Sequence, residues 1–316
     1  MSNFPQYRIA VLLPCYNEAA SIAKVVAAFK EALPTASIYV YDNDSTDSST
    51  EEALSAGAIV RCELRRGKGN VVRRMFSDIE ADIYVMADGD ETYDPAVAPE
   101  LIRKIIDEHL DMVVGSRVAS EAQSFRSGHR FGNRMLTGLV RHMFGYAFED
   151  MLSGYRIMSR RFIKSFPIHS HGFEIETEMS VHALQLQLPV AEVPTKYGVR
   201  PEDSQSKLHT YRDGFRILFT IIGLLTTERP RLFYGLIALL LTLLSFGLAM
   251  PIFHDYLVTG KVERFPTAFL CLGLVLLASQ FLAFGFLVYS IRRGRIEAKR
   301  LAYLAQKGVS QDGEMR

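Results

Sequence analysis

The 316-residue chain has no tryptophan, only three cysteines and almost no net charge, with 36 lysines and arginines against 35 aspartates and glutamates. Each scarcity excludes something. Without tryptophan, no motif that depends on an indole is present. Cys15, Cys62 and Cys271 make neither a disulfide framework nor a zinc-ligand spacing, which fits a reducing compartment for the bulk of the protein. The charge balance argues against a nucleic-acid partner held by a broad basic surface, because such binding draws its affinity from many neutralised phosphates. Internal repeats and low-complexity segments are also lacking. With 48% apolar and 22% charged residues the chain is not disordered, and its length allows two domains.

Charge is missing altogether from Leu232 to Phe253 and from Phe265 to Ile291. As a helix rising about 1.5 Å per residue, each stretch spans the roughly 30 Å of a bilayer's hydrocarbon. A buried soluble helix normally keeps a polar face, so a membrane hairpin is expected rather than two core helices. Neither stretch is N-terminal, so neither reads as a signal peptide. Arg229 and Arg231 precede the first, and Arg292, Arg293, Arg295, Lys299 and Arg300 follow the second. The intervening loop has only Lys261 and Arg264, beside Asp255 and Glu263. This bias places both termini and the N-terminal domain in the cytosol. For an integral membrane protein of this kind, a bacterial inner membrane is expected rather than the endoplasmic reticulum. Leu208–Leu225 fits an amphipathic helix on the bilayer surface, with a core-packed helix as the alternative. The expected division is 1–206 (cytosolic N-terminal domain), 207–231 (amphipathic juxtamembrane segment), 232–291 (spans 232–253 and 265–291) and 292–316 (cytosolic tail).

The first two hundred residues alternate short β-rich runs with helical ones. Strands are expected at Arg8–Leu13, Ser37–Tyr41, Ala58–Cys62, Ile83–Ala87 and Met112–Val114, and helices at Glu18–Leu33, Asn70–Glu80 and Val97–His109. Farther on, the pattern predicts helices over Phe131–Phe144 and Glu174–Leu188, a turn at Ser153-Gly154 and a strand near Val190–Tyr197. Alternation of this kind implies an α/β fold with a mostly parallel sheet covered by helices, which binds ligands at the carboxyl ends of its strands. Tyr16-Asn17-Glu18, Asp42 and Asp88-Gly89-Asp90 all fall just past strand ends.

Two carboxylates one residue apart at a strand end, Asp88 and Asp90, can both turn toward Mg²⁺ or Mn²⁺, which completes its shell from water and diphosphate. By itself a D-x-D turn is common. Arg65-Arg66-Gly67-Lys68-Gly69-Asn70 opens a helix: glycines admit a phosphate to the backbone, and Lys68 with Arg65 supplies positive charge. It is not a Walker A loop, and alone it reads equally as a basic turn. His169-Ser170-His171 has no third ligand at metal spacing and is read as a loop. Gln280, in the second span, faces either a neighbouring helix or the lipid path, with helix contact the expected role.

Taken in order, Pro14-x-Tyr16-Asn17-Glu18, Asp42-x-x-Ser45-Thr46-Asp47, Arg65-x-Gly67-Lys68-Gly69, Asp88-x-Asp90 and Gly115-Ser116-Arg117 resemble family 2 glycosyltransferases of the GT-A fold. The likeness continues through Asp150-x-x-Ser153-Gly154-Tyr155-Arg156, Gly172-Phe173-Glu174, Tyr197 to Arg200 and Ser206-Lys207. It is closest in kind to dolichyl-phosphate mannose synthases and polyprenyl-phosphate glycosyltransferases with two C-terminal spans. The resemblance implies a GT-A, Rossmann-like, mostly parallel sheet flanked by helices, joined to an interfacial helix and a transmembrane hairpin. It implies a nucleotide-diphosphate-sugar as donor, with Pro14, Tyr16, Asn17, Glu18 and Asp42 on the base and ribose and Arg65, Lys68, Asp88 and Gly89 near the diphosphate. Asp88 and Asp90 match the metal motif for Mg²⁺ or Mn²⁺. Asn43-Asp44 stands where many relatives have Asp-Gly, and Thr92 where some have a metal-binding Gln.

Arg117, Arg126, Arg130, Asn133 and Lys207 are implied to hold the phosphate of a polyprenyl phosphate acceptor, undecaprenyl or dolichyl, at the bilayer; arginine geometry suits that group. Asp90 and Lys68 would serve the leaving diphosphate. Asp150 is either a base or the residue that orients Arg156 or an acceptor-binding arginine. Relatives suggest a homo-oligomer. The implied reaction inverts the anomeric carbon, and the acceptor phosphate needs no strong base, because its second pKa of about 6 leaves it largely anionic. A processive polysaccharide synthase of the same fold typically carries Q-x-x-R-W, which a chain without tryptophan lacks. A non-catalytic membrane partner is the remaining alternative, against which stand Asp88, Asp90 and Lys68.

Overall fold

The computed structural model describes residues 4–119, 138, 140–141, 148–172, 174–198, 223 and 225–309. Arg126, Arg130, Asn133, Lys207, nearly all of 208–225 and most of the helix expected over 131–144 lie outside them. Two compact units emerge, Met1–Asp213 with Ala298–Arg316, and Gly214–Glu297.

The first unit is built on one sheet. Its strands are β1 (Ile9–Cys15), β2 (Ser37–Asp42), β3 (Ile59–Cys62), β4 (Ile83–Met86), β5 (Met112–Ala119), β6 (Arg156–Ser159) and β7 (Val190–Tyr197), in the order β3-β2-β1-β4-β6-β5-β7. β1 and β4 are buried along their whole length, as expected of strands covered on both faces, whereas β3 at the edge is largely exposed. The helices are α1 (Ile22–Ala32), α2 (Ser49–Ser55), α3 (Lys68–Asp78), α4 (Ala98–Asp107), α5 (Arg160–Ser165) and α6 (Ile175–Leu186). α1 buries Ile22, Val25, Val26 and Phe29, the stripe anticipated from their spacing, and α4 buries Leu101, Ile102, Ile105 and Ile106.

Every strand pairing is parallel except those of β6, which runs antiparallel between β4 and β5, with Arg156 opposite both Met86 and Val114. No strand was anticipated there. Because β6 runs backwards, its first residue lies beside Met86, where β4 ends. The loop 150–155 is thereby delivered to the same edge as Asp42 and Asp88.

At the opposite edge the carboxylate of Asp111, fully buried, accepts hydrogen bonds from Ser159 Oγ at 2.7 Å, Arg161 Nε at 2.5 Å and Tyr303 Oη at 2.7 Å. Residues from the far end of the chain thus belong to the sheet's own unit.

The second unit holds α7 (Pro230–Thr259) and α8 (Phe265–Leu304) up to Glu297, both helices long and apolar enough to cross a membrane. α8 runs past the uncharged stretch that ends at Ile291. Most of their large apolar side chains are exposed, among them Leu240, Phe246, Phe269 and Phe286. The two pair through Ser245 Oγ, which donates to the Cys271 carbonyl at 2.9 Å, and through Tyr234 stacked on Phe281, while Glu228, just ahead of α7, pairs with Arg292 at 3.0 Å. Gln280 is exposed, so the polar helix contact comes from Ser245 instead.

Candidate active site

β1 ends beside β2, with Cys15 opposite Asp42, and the loops that follow are laced together. Asn17, in the left-handed region at φ 51°, accepts the Thr46 N–H at 2.8 Å through Oδ1, and its own N–H donates to Ser45 Oγ at 2.9 Å. The Glu18 N–H donates to Ser49 Oγ at 2.8 Å. Asn17 therefore shapes the loop. Pro14 lies within β1, opposite Tyr41. Buried Asp42 accepts the Ser45 N–H at 3.1 Å on Oδ2, while its Oδ1 has no hydrogen-bond partner among the described residues. A buried carboxylate oxygen left open is costly unless something donates to it, so Asp42 is set to receive a donor. The Tyr16 ring lies 5.2 Å from the guanidinium of Arg66, which pairs with Asp44 at 3.0 Å. Asn43 donates to the Glu63 and Arg65 carbonyls at 2.7 and 2.9 Å and accepts the Gly67 N–H at 2.7 Å. The departure at Asn43 is thus a clamp on the β3–α3 loop, in which the Arg65 side chain is exposed.

Gly67 and Gly69 serve a purpose the sequence did not show. A Cβ on Gly67, which has φ 121°, would run into the His171 carbonyl oxygen, and one on Gly69 into that of Ser170. The Gly69 N–H donates to the His171 carbonyl at 3.1 Å. These glycines admit the 170–171 backbone to the head of α3. His169-Ser170-His171 is a loop, tied to Glu178 by the His169 and Ser170 N–H groups.

This packing seats Lys68 at the head of α3, with its ammonium 2.5 Å from Asp88 Oδ1 and 2.5 Å from Glu176 Oε1. Burial alone would lower the lysine's pKa, but Asp88 and Glu176 outweigh it and raise it, so Lys68 is a fixed cation. Glu176 went unnoticed in the sequence, where an acid in the first turn of a helix passes for complement to the helix dipole.

Gly89 has no room for a side chain, because a Cβ would strike the Glu18 carboxylate, and Ser21 Oγ donates to its carbonyl at 2.7 Å. Asp90 is buried and accepts from Thr92 Oγ1 at 2.5 Å and the Thr92 N–H at 3.3 Å. Thr92, the second departure, orients Asp90. Among the described residues, no group of three His, Cys, Asp or Glu side chains is gathered as a metal cage.

Across the edge, Asp150 grips Arg117 with both oxygens: Nε donates to Oδ2 at 2.6 Å and Nη2 to Oδ1 at 2.8 Å. Burial would raise the Asp150 carboxyl, but the guanidinium prevails and holds it below the usual carboxylate range. Arg156, fully buried, turns instead to the Ser153 and Met151 carbonyls at 2.9 and 2.7 Å, bracing the loop from beneath. Burial pulls its pKa down to about 10, so it stays charged at neutral pH. The Gly154 N–H donates to Tyr93 Oη at 2.8 Å, and a Cβ on Gly154 would sit 3.0 Å from Asp88 Oδ2 and 3.2 Å from Lys68 Nζ. Burial, with Asp88 adding to it, raises the Tyr93 phenol, which stays protonated. The edge thus holds an open acceptor at Asp42, two adjacent carboxylates, a buried lysine and an oriented arginine. That set suits a polyanionic substrate whose leaving group gains charge.

Comparison with known proteins agrees. The model of Glycosyl transferase family 2 matches residues 10–166. Glycosyltransferase AglJ of Haloferax volcanii is 32% identical over 281 residues, covering 88% of this chain and 92% of AglJ. The undecaprenyl-phosphate 4-deoxy-4-formamido-L-arabinose transferase of Klebsiella pneumoniae is 26% identical over 329 residues, covering 97% and 95% of the two chains. Glucosyl-3-phosphoglycerate synthase of Mycobacterium tuberculosis, solved with Mn²⁺, uridine diphosphate and glucosyl-3-phosphoglycerate, superposes with a TM-score of 0.57 at 23% identity, over 69% of this chain and 80% of that one, a likeness of fold. With AglJ matched over nearly its whole length and the family model running from β1 through α5, this chain belongs to glycosyl transferase family 2.

Proposed function

We propose that this glycosyltransferase moves a sugar from a nucleotide-diphosphate-sugar to the phosphate of a polyprenyl lipid, at the cytosolic face of a bacterial inner membrane. The observation that carries the acceptor is the pair α7 and α8, long and apolar enough to cross a bilayer and largely exposed along their length. A transferase anchored in this way has its second substrate in the same membrane. The Klebsiella relative, whose name specifies undecaprenyl phosphate, supports the reading.

An acceptor phosphate oxygen attacks the anomeric carbon, the bond to the diphosphate breaks, and the nucleoside diphosphate leaves with the bonding electrons, inverting that carbon. Asp42, Tyr16 and Glu18 hold the nucleoside, and Lys68 faces the charge developing on the diphosphate. Arg117 holds the acceptor phosphate. Asp150 orients Arg117: both of its oxygens are taken by the guanidinium and its carboxyl is held ionised, which makes it a weak base. Asp88 and Asp90 fit a hard cation, since Mg²⁺ or Mn²⁺ takes one or two carboxylates and fills its shell with water and phosphate oxygens. Such an ion, when bound, neutralises charge on the diphosphate.

Membranes carrying the full chain, incubated with a panel of labelled nucleotide sugars and a short polyprenyl phosphate, test this by product mass. A glycolipid of one added sugar is expected; a polymer, or no product with any donor, overturns the reading. Asp90→Ala should abolish the product, and full synthesis by that variant would refute the metal assignment.

A further inference from the structure

The Lys68 ammonium lies between two carboxylates that differ in setting. Asp88, at the end of β4, is 27% exposed, whereas Glu176 in the first turn of α6 is 4% exposed and Lys68 itself 8%. Glu176 also bears electrostatically on buried Arg156, so its charge is shared between two cations beside Asp88 and Asp90. The second oxygen of Glu176, Oε2, is buried and has no hydrogen-bond partner among the described residues. A lysine that only needed neutralising would be satisfied by Asp88 alone. A second buried carboxylate, with an open oxygen, is a costly arrangement that calls for a reason.

Metal binding by Asp88, on which this inference rests together with the reading above, supplies one. Asp88 cannot keep its bond to Lys68 unchanged and also ligate a divalent cation. If Asp88 were the lysine's only anion, its departure would leave a buried ammonium without a counter-charge, a penalty large enough to suppress metal binding. We propose that Glu176 is a positioning residue of the transfer reaction: it retains Lys68 at the diphosphate side of the site when Asp88 turns to a divalent cation, so that lysine and cation act together instead of competing for one carboxylate. The packing of Gly67 and Gly69 on the 170–171 backbone keeps the head of α3 in place during the exchange.

Mn²⁺ titration of the full-length protein in detergent, read from the electron paramagnetic resonance of the free ion, tests this without donor or acceptor. Wild type is expected to bind Mn²⁺ in a manner lost in Asp88→Asn. Glu176→Gln, which keeps shape but removes charge, should weaken binding about tenfold or more, because Lys68 then holds Asp88 exclusively. The double variant Lys68→Met with Glu176→Gln removes the competitor and should bind within about threefold of wild type or tighter. Glu176→Asp should restore most of the affinity, and it keeps the test decisive if the glutamine variant misfolds. Unchanged affinity in Glu176→Gln, a double variant as weak as the single, or a wild type with no Asp88-dependent Mn²⁺ binding would each overturn the proposal. A purely structural ion pair would lower melting temperature without moving Mn²⁺ affinity. In the glycolipid assay, Glu176→Gln should lower kcat more than it raises the donor KM. Failure to form glycolipid with the Mn²⁺ pattern intact would sink the acceptor reading alone.

Discussion

Replacing Asp150 by asparagine separates two roles that its position in the sequence left open. In the structure Asp150 holds Arg117 through two side-chain bonds of 2.6 and 2.8 Å and accepts its backbone N–H at 3.3 Å. Asparagine keeps one acceptor oxygen, turns the other position into a donor facing a guanidinium, and removes the charge. Removing one partner of a buried, hydrogen-bonded ion pair costs about 2–5 kcal/mol. The side chains are 10% and 19% exposed, so the lower end applies, about 2 kcal/mol after solvent screening. At about 1.4 kcal/mol per tenfold, that is roughly a 30-fold loss in affinity for whatever Arg117 holds. The measurement is initial-rate kinetics with a short polyprenyl phosphate: Asp150→Asn should raise the acceptor KM by about that factor, with a smaller change in kcat. Arg117→Gln should have a similar effect, and the double variant should be little worse than either, because the two act as a unit. A base would behave differently. A fall in kcat of about a thousandfold with KM unchanged would refute the positioning role.

Other consequences are open to direct measurement. Burial among Phe162, Phe166 and Ser165 pushes the His182 imidazole down to about 3, with Lys299 adding to the effect. Its unfolded pKa is about 6.5, so the stability contributed by the neutral ring is complete above that pH and is lost as pH falls toward 3, by about 1 kcal/mol between pH 6.5 and 5.5. Thermal melts of His182→Leu should lack that share of the acid-side decline; an unchanged pH slope would contradict it. Tyr303→Phe removes a 2.7 Å donor from fully buried Asp111 and should cost about 1.5 kcal/mol, lowering the melting temperature by roughly 3–6 °C. A chain ending at residue 297 should melt lower still, since Lys299 to Gln185 at 2.9 Å is lost as well. Gly69→Ala forces the 170–171 backbone away from α3 and should lower kcat through displaced Lys68; wild-type rates would show that the contact is dispensable.

Much of this protein was legible without coordinates, for reasons that differ by element. β1, β2 and β4 announce themselves as short apolar runs, and α1 and α4 as stripes with helical spacing, because these elements bury one face or both against a single core. The carboxylates Asp42, Asp88 and Asp90 were found because each follows such a run at once, so strand position alone carries it to the ligand-binding edge. β6 was not found. Its four residues include a buried arginine and a serine, whose hydrogen bonds to the 150–155 loop and to Asp111 replace the apolar pattern a strand usually shows. Glu176 lies far along the chain from Lys68, and only the packing of α3 against the 170–171 loop joins them.

The sequence by itself thus determined the layered α/β unit, the carboxylates at its strand ends and the two uncharged stretches within the long C-terminal helices, since all three follow from local periodicity and composition. Tertiary structure alone decided which charges meet: Lys68 with Glu176 as well as Asp88, and Arg117 with Asp150. Those pairings depend on the reversed direction of β6 and on backbone contact at two glycines, and contacts between distant segments leave no periodic trace in the chain.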